Sequence, residues 1–114
     1  MGRTSRNKGK EGEREFARLC RQFGYDAHRT AQYRGNTGAA GDVEGLPGIH
    51  VEVKRTETLR AWDYMDQSSH DAAAAQRGEI PIVAWRKNNH PWLVLIGVED
   101  FMQLYAAWEV ERET

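Results

Sequence analysis

From Ile49 to Arg55 the sequence alternates without interruption, with Ile49, Val51 and Val53 on one side and His50, Glu52 and Lys54 on the other. A period of two is the signature of a strand. Leu46, Pro47 and Gly48 read as a turn just before it, and residues 42–44 as a further short strand. The segment therefore predicts a hairpin with one face in the core and the other lined with ionisable groups. A row of polar residues on one face is often only the solvated side of an antiparallel sheet. Asp42, just upstream, makes the row worth a second reading.

The remaining elements follow from the same periodicities. Phe16, Leu19, Cys20 and Phe23 recur at helical spacing, which predicts a helix over residues 10–23 with Gly24 as its stop. Residues 25–30 read as a short strand, and residues 31–41, rich in glycine and small side chains, as a loop. A second helix is expected over residues 61–77, with Trp62, Met65, Ser69, Ala72 and Ala73 on its inner face and Gly78 at its end. The apolar runs 79–86 and 92–97 read as strands, and the reversal Asn88-Asn89-His90-Pro91 between them predicts an antiparallel pair. Phe101, Leu104, Tyr105 and Trp108 mark a last helix over residues 98–111. The order αβββαββα predicts an α/β or α+β domain with a mixed sheet between helices.

Composition limits the possibilities further. A chain of 114 residues has room for one core, and a 39% hydrophobic content suffices to build it. The expected division is a flexible basic arm over residues 1–9 and a single domain over residues 10–114. The net charge of −1 is unevenly spread: Arg3, Arg6, Lys8 and Lys10 crowd the first ten residues without an acid, whereas residues 99–114 hold five acids and one arginine. A basic arm suits a polyanion, and equally suits a solvated terminus. Cys20 is the sole cysteine and falls on the apolar stripe, where a buried thiol is expected. No disulfide within the chain is possible, in keeping with a reducing compartment. No stretch has the apolar character of a signal peptide or the length of a membrane span, so a cytoplasmic protein is expected.

The charged face has a specific chemical reading. Glu52 and Lys54 share a side of one strand, roughly 7 Å apart. A hairpin would bring Asp42 close to Glu52, and two adjacent carboxylates require either a proton or a cation between them. Mg2+ prefers oxygen ligands and commonly takes one or two protein carboxylates. An ammonium group alongside can assist deprotonation of water or stabilise charge growing on a phosphate. Asp, Glu and Lys in this arrangement match metal-assisted phosphodiester hydrolysis. The four histidines show no zinc-site spacing. The glycines at 35, 38 and 41 lack the strand–loop–helix setting of a nucleotide cradle, so no nucleotide cofactor is expected. His50 shares the face of Glu52 and is open to substrate or to solvent, with solvent the expected neighbour. Gln67, on the second helix, could approach the site but has no assigned place.

Asp42, nine intervening residues, Glu52, one residue and Lys54 resemble the PD-(D/E)XK nuclease signature. The preceding KGKEGEREF, residues 8–16, resembles the opening of the archaeal-type Holliday junction resolvases and their phage-encoded relatives, with Glu13, Arg14 and Glu15 as the helix triplet. The run EIPIVAW also fits its place in that family. The resemblance implies a restriction-endonuclease-like core. It further implies that Asp42 and Glu52 bind Mg2+ (Mn2+ being able to substitute), with the main-chain carbonyl of Val53 as a further ligand. Lys54 would be the catalytic lysine, and Glu13 a carboxylate reaching the metal through water. From the residues alone, Glu13 would pass for a surface acid beside an arginine, although it lies near the apolar stripe. One departure stands out: Gly41 occupies the position of the proline that names the motif.

The implied activity is a Mg2+-dependent DNA endonuclease acting on branched DNA, most simply a Holliday junction resolvase that leaves a 5′-phosphate. Arg3, Arg6, Lys8, Lys10, Arg14, Arg29, Arg34 and Arg55 are the expected phosphate contacts, which position a duplex without reading bases. Two symmetric cuts imply a homodimer, with Trp62, Trp85, Trp92 and Trp108 available either to that interface or, for most of them, to ordinary core packing. Two alternatives share the signature: another PD-(D/E)XK processing, restriction or repair nuclease, and a non-catalytic DNA-binding module.

Overall fold

The computed structural model of the chain describes residues 2–31 and 40–114, and of residues 2–8 the backbone alone. Helix α1 (Gly2–Gln22) is followed by strands β1 (His28–Arg29), β2 (Val43–Glu44) and β3 (Ile49–Arg55). Helix α2 (Ala61–Ala75), strands β4 (Ile80–Arg86) and β5 (Leu93–Ile96) and helix α3 (Val98–Glu113) complete the chain. The strands form one mixed sheet in the order β1-β2-β3-β4-β5. Every pair is antiparallel except β3 with β4, which run parallel in register from Ile49↔Ile80 to Arg55↔Arg86. A parallel pair needs a long crossover, and α2 provides it. The αβββαββα order and the α+β class agree with the sequence pattern.

The alternation in β3 decides which helix covers which face. Val51 and Val53 point towards α1, where Phe16, Ala17 and Cys20 pack on them together with Val43, Ile82 and Ala84. Trp92 closes that core against Phe16, with ring centroids 5.2 Å apart. Burial raises the thiol pKa of Cys20 despite the neighbouring Arg21, as befits a core cysteine. On the opposite face α2 lays Tyr64 against Val83 and Trp85, and the Ser68 hydroxyl donates to the Ile82 carbonyl at 2.9 Å. His50, Glu52 and Lys54 therefore lie beneath α2 and not on a wet sheet surface.

Several expectations change. Helix α1 starts at Gly2, so backbone expected as an arm is helical; once a helix has nucleated, each added residue gains a bond at little cost. Phe23, assigned to the buried stripe, lies beyond the last helical turn and is 75% exposed. The buried face of α2 is Tyr64, Ser68 and Ala72, not the Trp62, Met65, Ser69 stripe. Small residues make that helix weakly amphipathic, and the Tyr64 hydroxyl, bonded to Thr56 Oγ1 at 2.9 Å, selects the rotation. Helix α2 ends at Ala75 with Gln76 in the left-handed region, before Gly78 is reached. Trp85 is buried and Trp92 half-buried, but Trp62 and Trp108 are exposed, and α3 buries none of its residues.

Candidate active site

The β2–β3 hairpin sets the position of Asp42. Val43 pairs with Val51, and one residue earlier the Asp42 N–H donates to the Val51 carbonyl at 2.7 Å. Thr30 secures the other side: its N–H donates to the Asp42 carbonyl at 2.9 Å and its hydroxyl to the Gly41 carbonyl at 2.5 Å. The Asp42 side chain then turns to the Val53 N–H, which donates to Oδ2 at 2.8 Å. Because the N–H and C=O of one strand residue face the same edge, the Val53 carbonyl opens beside Asp42. Gly41 approaches β3 so closely that an added Cβ would lie 2.8 Å from the Val51 oxygen and 2.9 Å from its nitrogen. A side chain there would require the main chain to shift, so glycine is the residue this approach accommodates without movement.

The expected residues do converge. Glu13 from α1, Asp42, Glu52, Val53 and Lys54 from the hairpin and Gln67 from α2 line one open cleft of about 570 Å3. Glu52 neighbours Asp42, and the Asp42 carboxyl is pushed up to about 7, first by burial and then by the Glu52 charge, with the Val53 N–H opposing and Glu13 adding a little. Glu13 is held by Arg29, whose Nε donates to its Oε1 at 2.6 Å. The Lys54 ammonium sits 5.4 Å from the centroid of the Tyr64 ring, a cation–π distance. An all-oxygen donor set carrying more negative charge than it can keep unprotonated fits a hard divalent cation.

Among the described residues, the trio whose ligand atoms lie within 4.8 Å of one another is His50, Glu52 and Asp71. His50, expected in solvent, is 1% exposed and Glu52 is 3% exposed. The correction has a simple cause: α2 covers the face that the alternation defines. The signal for Gln67 and Asp71 was their spacing from the buried Tyr64 and Ser68, at positions three, four and seven along one helix face. It became readable only with α2 correctly rotated.

The basic residues divide. Lys10 and Arg14 are exposed on α1, Arg14 within 3.8 Å of Glu11. Arg29 pairs with Glu13, as described, and Arg55 donates to the Asn88 side chain at 2.8 Å. Glu15, third of the helix triplet, accepts from Arg86 and from Trp92 Nε1, tying α1 to the β4–β5 hairpin. The side chains of Arg3, Arg6 and Lys8, and Arg34 with most of the glycine-rich loop, lie outside the described residues. No helix among the described residues is long and apolar enough to cross a membrane.

A mixed sheet with an acidic residue just before its second strand, Glu-x-Lys on its third and a helix carboxylate lining the same cleft matches the PD-(D/E)XK nuclease fold. The family model described as "Phage putative PDDEXK endonuclease" matches residues 4–114, and the chain belongs to that family. Among solved structures, Hjc from Archaeoglobus fulgidus, a Holliday junction resolvase, is similar over 77% of this chain and 76% of its own, with a TM-score of 0.58 and 21% identity. That likeness establishes the restriction-endonuclease-like fold. No curated protein matches the sequence.

Proposed function

We propose that the chain is a divalent-metal-dependent DNA endonuclease acting on branched DNA, with Holliday junction resolution as its reaction. The observation that carries this reading is the meeting of Glu13, Asp42, Glu52 and Lys54 in one cleft of a PD-(D/E)XK fold. Asp42, Glu52 and the Val53 carbonyl would hold Mg2+ or Mn2+, with Glu13 reaching it through water. Such an ion supplies Lewis acidity and water of lowered pKa at the scissile phosphate. The protein's own residues do the rest. Lys54, steadied over Tyr64, offers its ammonium to the phosphate oxygen that gains charge. Asp42 fixes the Val53 N–H and thereby the carbonyl on the same edge. Arg29 holds the Glu13 carboxylate at the cleft. Lys10 and Arg14, with Arg3, Arg6, Lys8 and Arg34, would contact phosphates; Arg29 and Arg55 would do so only by giving up their partners within the protein.

A homodimer is part of this proposal, with α3 as its surface. Phe101, Leu104, Tyr105 and Trp108 are exposed on α3, and Trp62, Val94 and Val98 are exposed at a groove beside it. Seven such side chains, at on the order of 100 Å2 each, offer roughly 700 Å2 per copy, near the ~800 Å2 per partner of standard interfaces. Glu99, Asp100, Glu109, Glu111 and Glu113 make α3 acidic, which suits a protein partner and not a phosphate backbone. A second copy supplies the symmetric active site that paired cuts require.

Labelled four-way, flap and linear DNA, each with and without Mg2+, test the reading. Paired symmetric nicks on the junction are expected, only with the ion present. Equal cutting of linear and branched DNA would favour another processing nuclease of the same fold. Asp42→Asn and Lys54→Ala should each lower cleavage at least a hundredfold while junction binding persists; wild-type cutting by either would remove these residues from their roles.

A further inference from the structure

Glu52 has a second close neighbour besides Asp42. His50, two residues earlier on the same strand face, places Nε2 at 3.3 Å from Glu52 Oε1. Its ring is enclosed between β3 and α2 and faces three acids: Glu52, Glu79, whose Oε1 lies 3.8 Å from Nδ1, and Asp71. Nδ1 itself is buried without a hydrogen-bond partner. A buried imidazole with one ring nitrogen unpaired is a costly way to fill core space, since an aliphatic side chain of similar size would leave no polar atom unsatisfied. Pro81 is its register neighbour on β4 and makes no demand for a polar group. The contact within hydrogen-bonding reach is the one to Glu52, and its effect is to fix that carboxylate's rotamer. Without that contact the carboxylate would be free to take other rotamers.

We infer that His50 is a positioning residue for Glu52, orienting the carboxylate so that it faces Asp42 and thereby setting the affinity of the pair for a divalent cation. The inference rests on the proposed role of Asp42 and Glu52 as cation ligands. Partners that orient a ligand in this way typically contribute 10- to 100-fold to metal affinity.

Mn2+ titration of the full chain without DNA, followed by calorimetry or by the electron-spin signal of the free ion, provides the test. The expected results are Mn2+ binding about 10- to 100-fold weaker for His50→Leu, and recovery to within a few-fold for His50→Gln, whose amide can donate to Glu52 from nearly the position of Nε2. Thermal unfolding and circular dichroism establish that the variants are folded. Should His50→Leu fail to fold, His50→Asn replaces it, because its shorter amide stops short of Glu52; equal Mn2+ affinity of the Asn and Gln variants overturns the inference. So does wild-type affinity in a folded His50→Leu protein. Asp42→Asn separates the two levels: if it abolishes binding while His50→Leu does not, the positioning role fails and the cation site stands, whereas unchanged binding by Asp42→Asn removes the cation site itself.

Discussion

Asp42 concentrates the electrostatics of the cleft in one side chain. Its carboxyl is raised from 3.8 to about 7 by burial and by Glu52. Without metal, the folded protein therefore keeps a proton between pH 4 and 7 that the unfolded chain has released. Stability from this group is complete below the unfolded value, declines as pH rises through that window and is flat above it. Melting temperatures of metal-free wild type and Asp42→Asn, compared across that range, should diverge in the same direction, the wild type losing more as pH rises. A parallel pair of curves would contradict the assignment. Metal must displace the same proton, so Mn2+ affinity should fall up to about tenfold per pH unit below 7. At this scale the alternation of β3 and the spacing to Asp42 were enough to identify Asp42, Glu52 and Lys54 as neighbours. Tyr64, the placement of Gln67 and the burial of His50 were not legible, because they depend on which helix covers the face and at what rotation.

The hairpin is the element on which the cleft depends, and Gly41 is its tightest point. A methyl group there would strike the main chain of Val51, which cannot yield as a flexible side chain would. Gly41→Ala should cost about 2 kcal/mol of stability, read from urea denaturation, and should impair metal binding by moving Asp42. Stability within a few tenths of wild type would show that the edge is looser than described. The sequence pattern gave β2, the turn and β3 with nearly their observed bounds, because glycine, proline and strict alternation are local signals. The parallel pairing of β4 with β3 is not local. It arises from the crossover through α2, and nothing in residues 79–86 distinguishes a strand that runs with its neighbour from one that runs against it.

At the scale of the whole molecule, α3 is the feature that a single chain leaves unexplained. Its stripe of Phe101, Leu104, Tyr105 and Trp108 was readable as a helix face, but its periodicity could not say that the stripe stays exposed in the single chain. A solitary helix of 16 residues is marginal in water, and a second copy would stabilise it. Leu104→Glu with Trp108→Glu should convert a dimer to a monomer in sedimentation velocity and replace paired junction cuts by single nicks; a wild type already monomeric at micromolar concentration would contradict the proposed interface. The account as a whole depends on one ion lying where the two strand carboxylates meet. Anomalous diffraction from crystals soaked in Mn2+ tests that directly. A peak about 2.1 Å from oxygens of Asp42, Glu52 and the Val53 carbonyl is expected; crystals with the cleft open to solvent and no peak there, or a peak held only by His50 and Asp71, would contradict it.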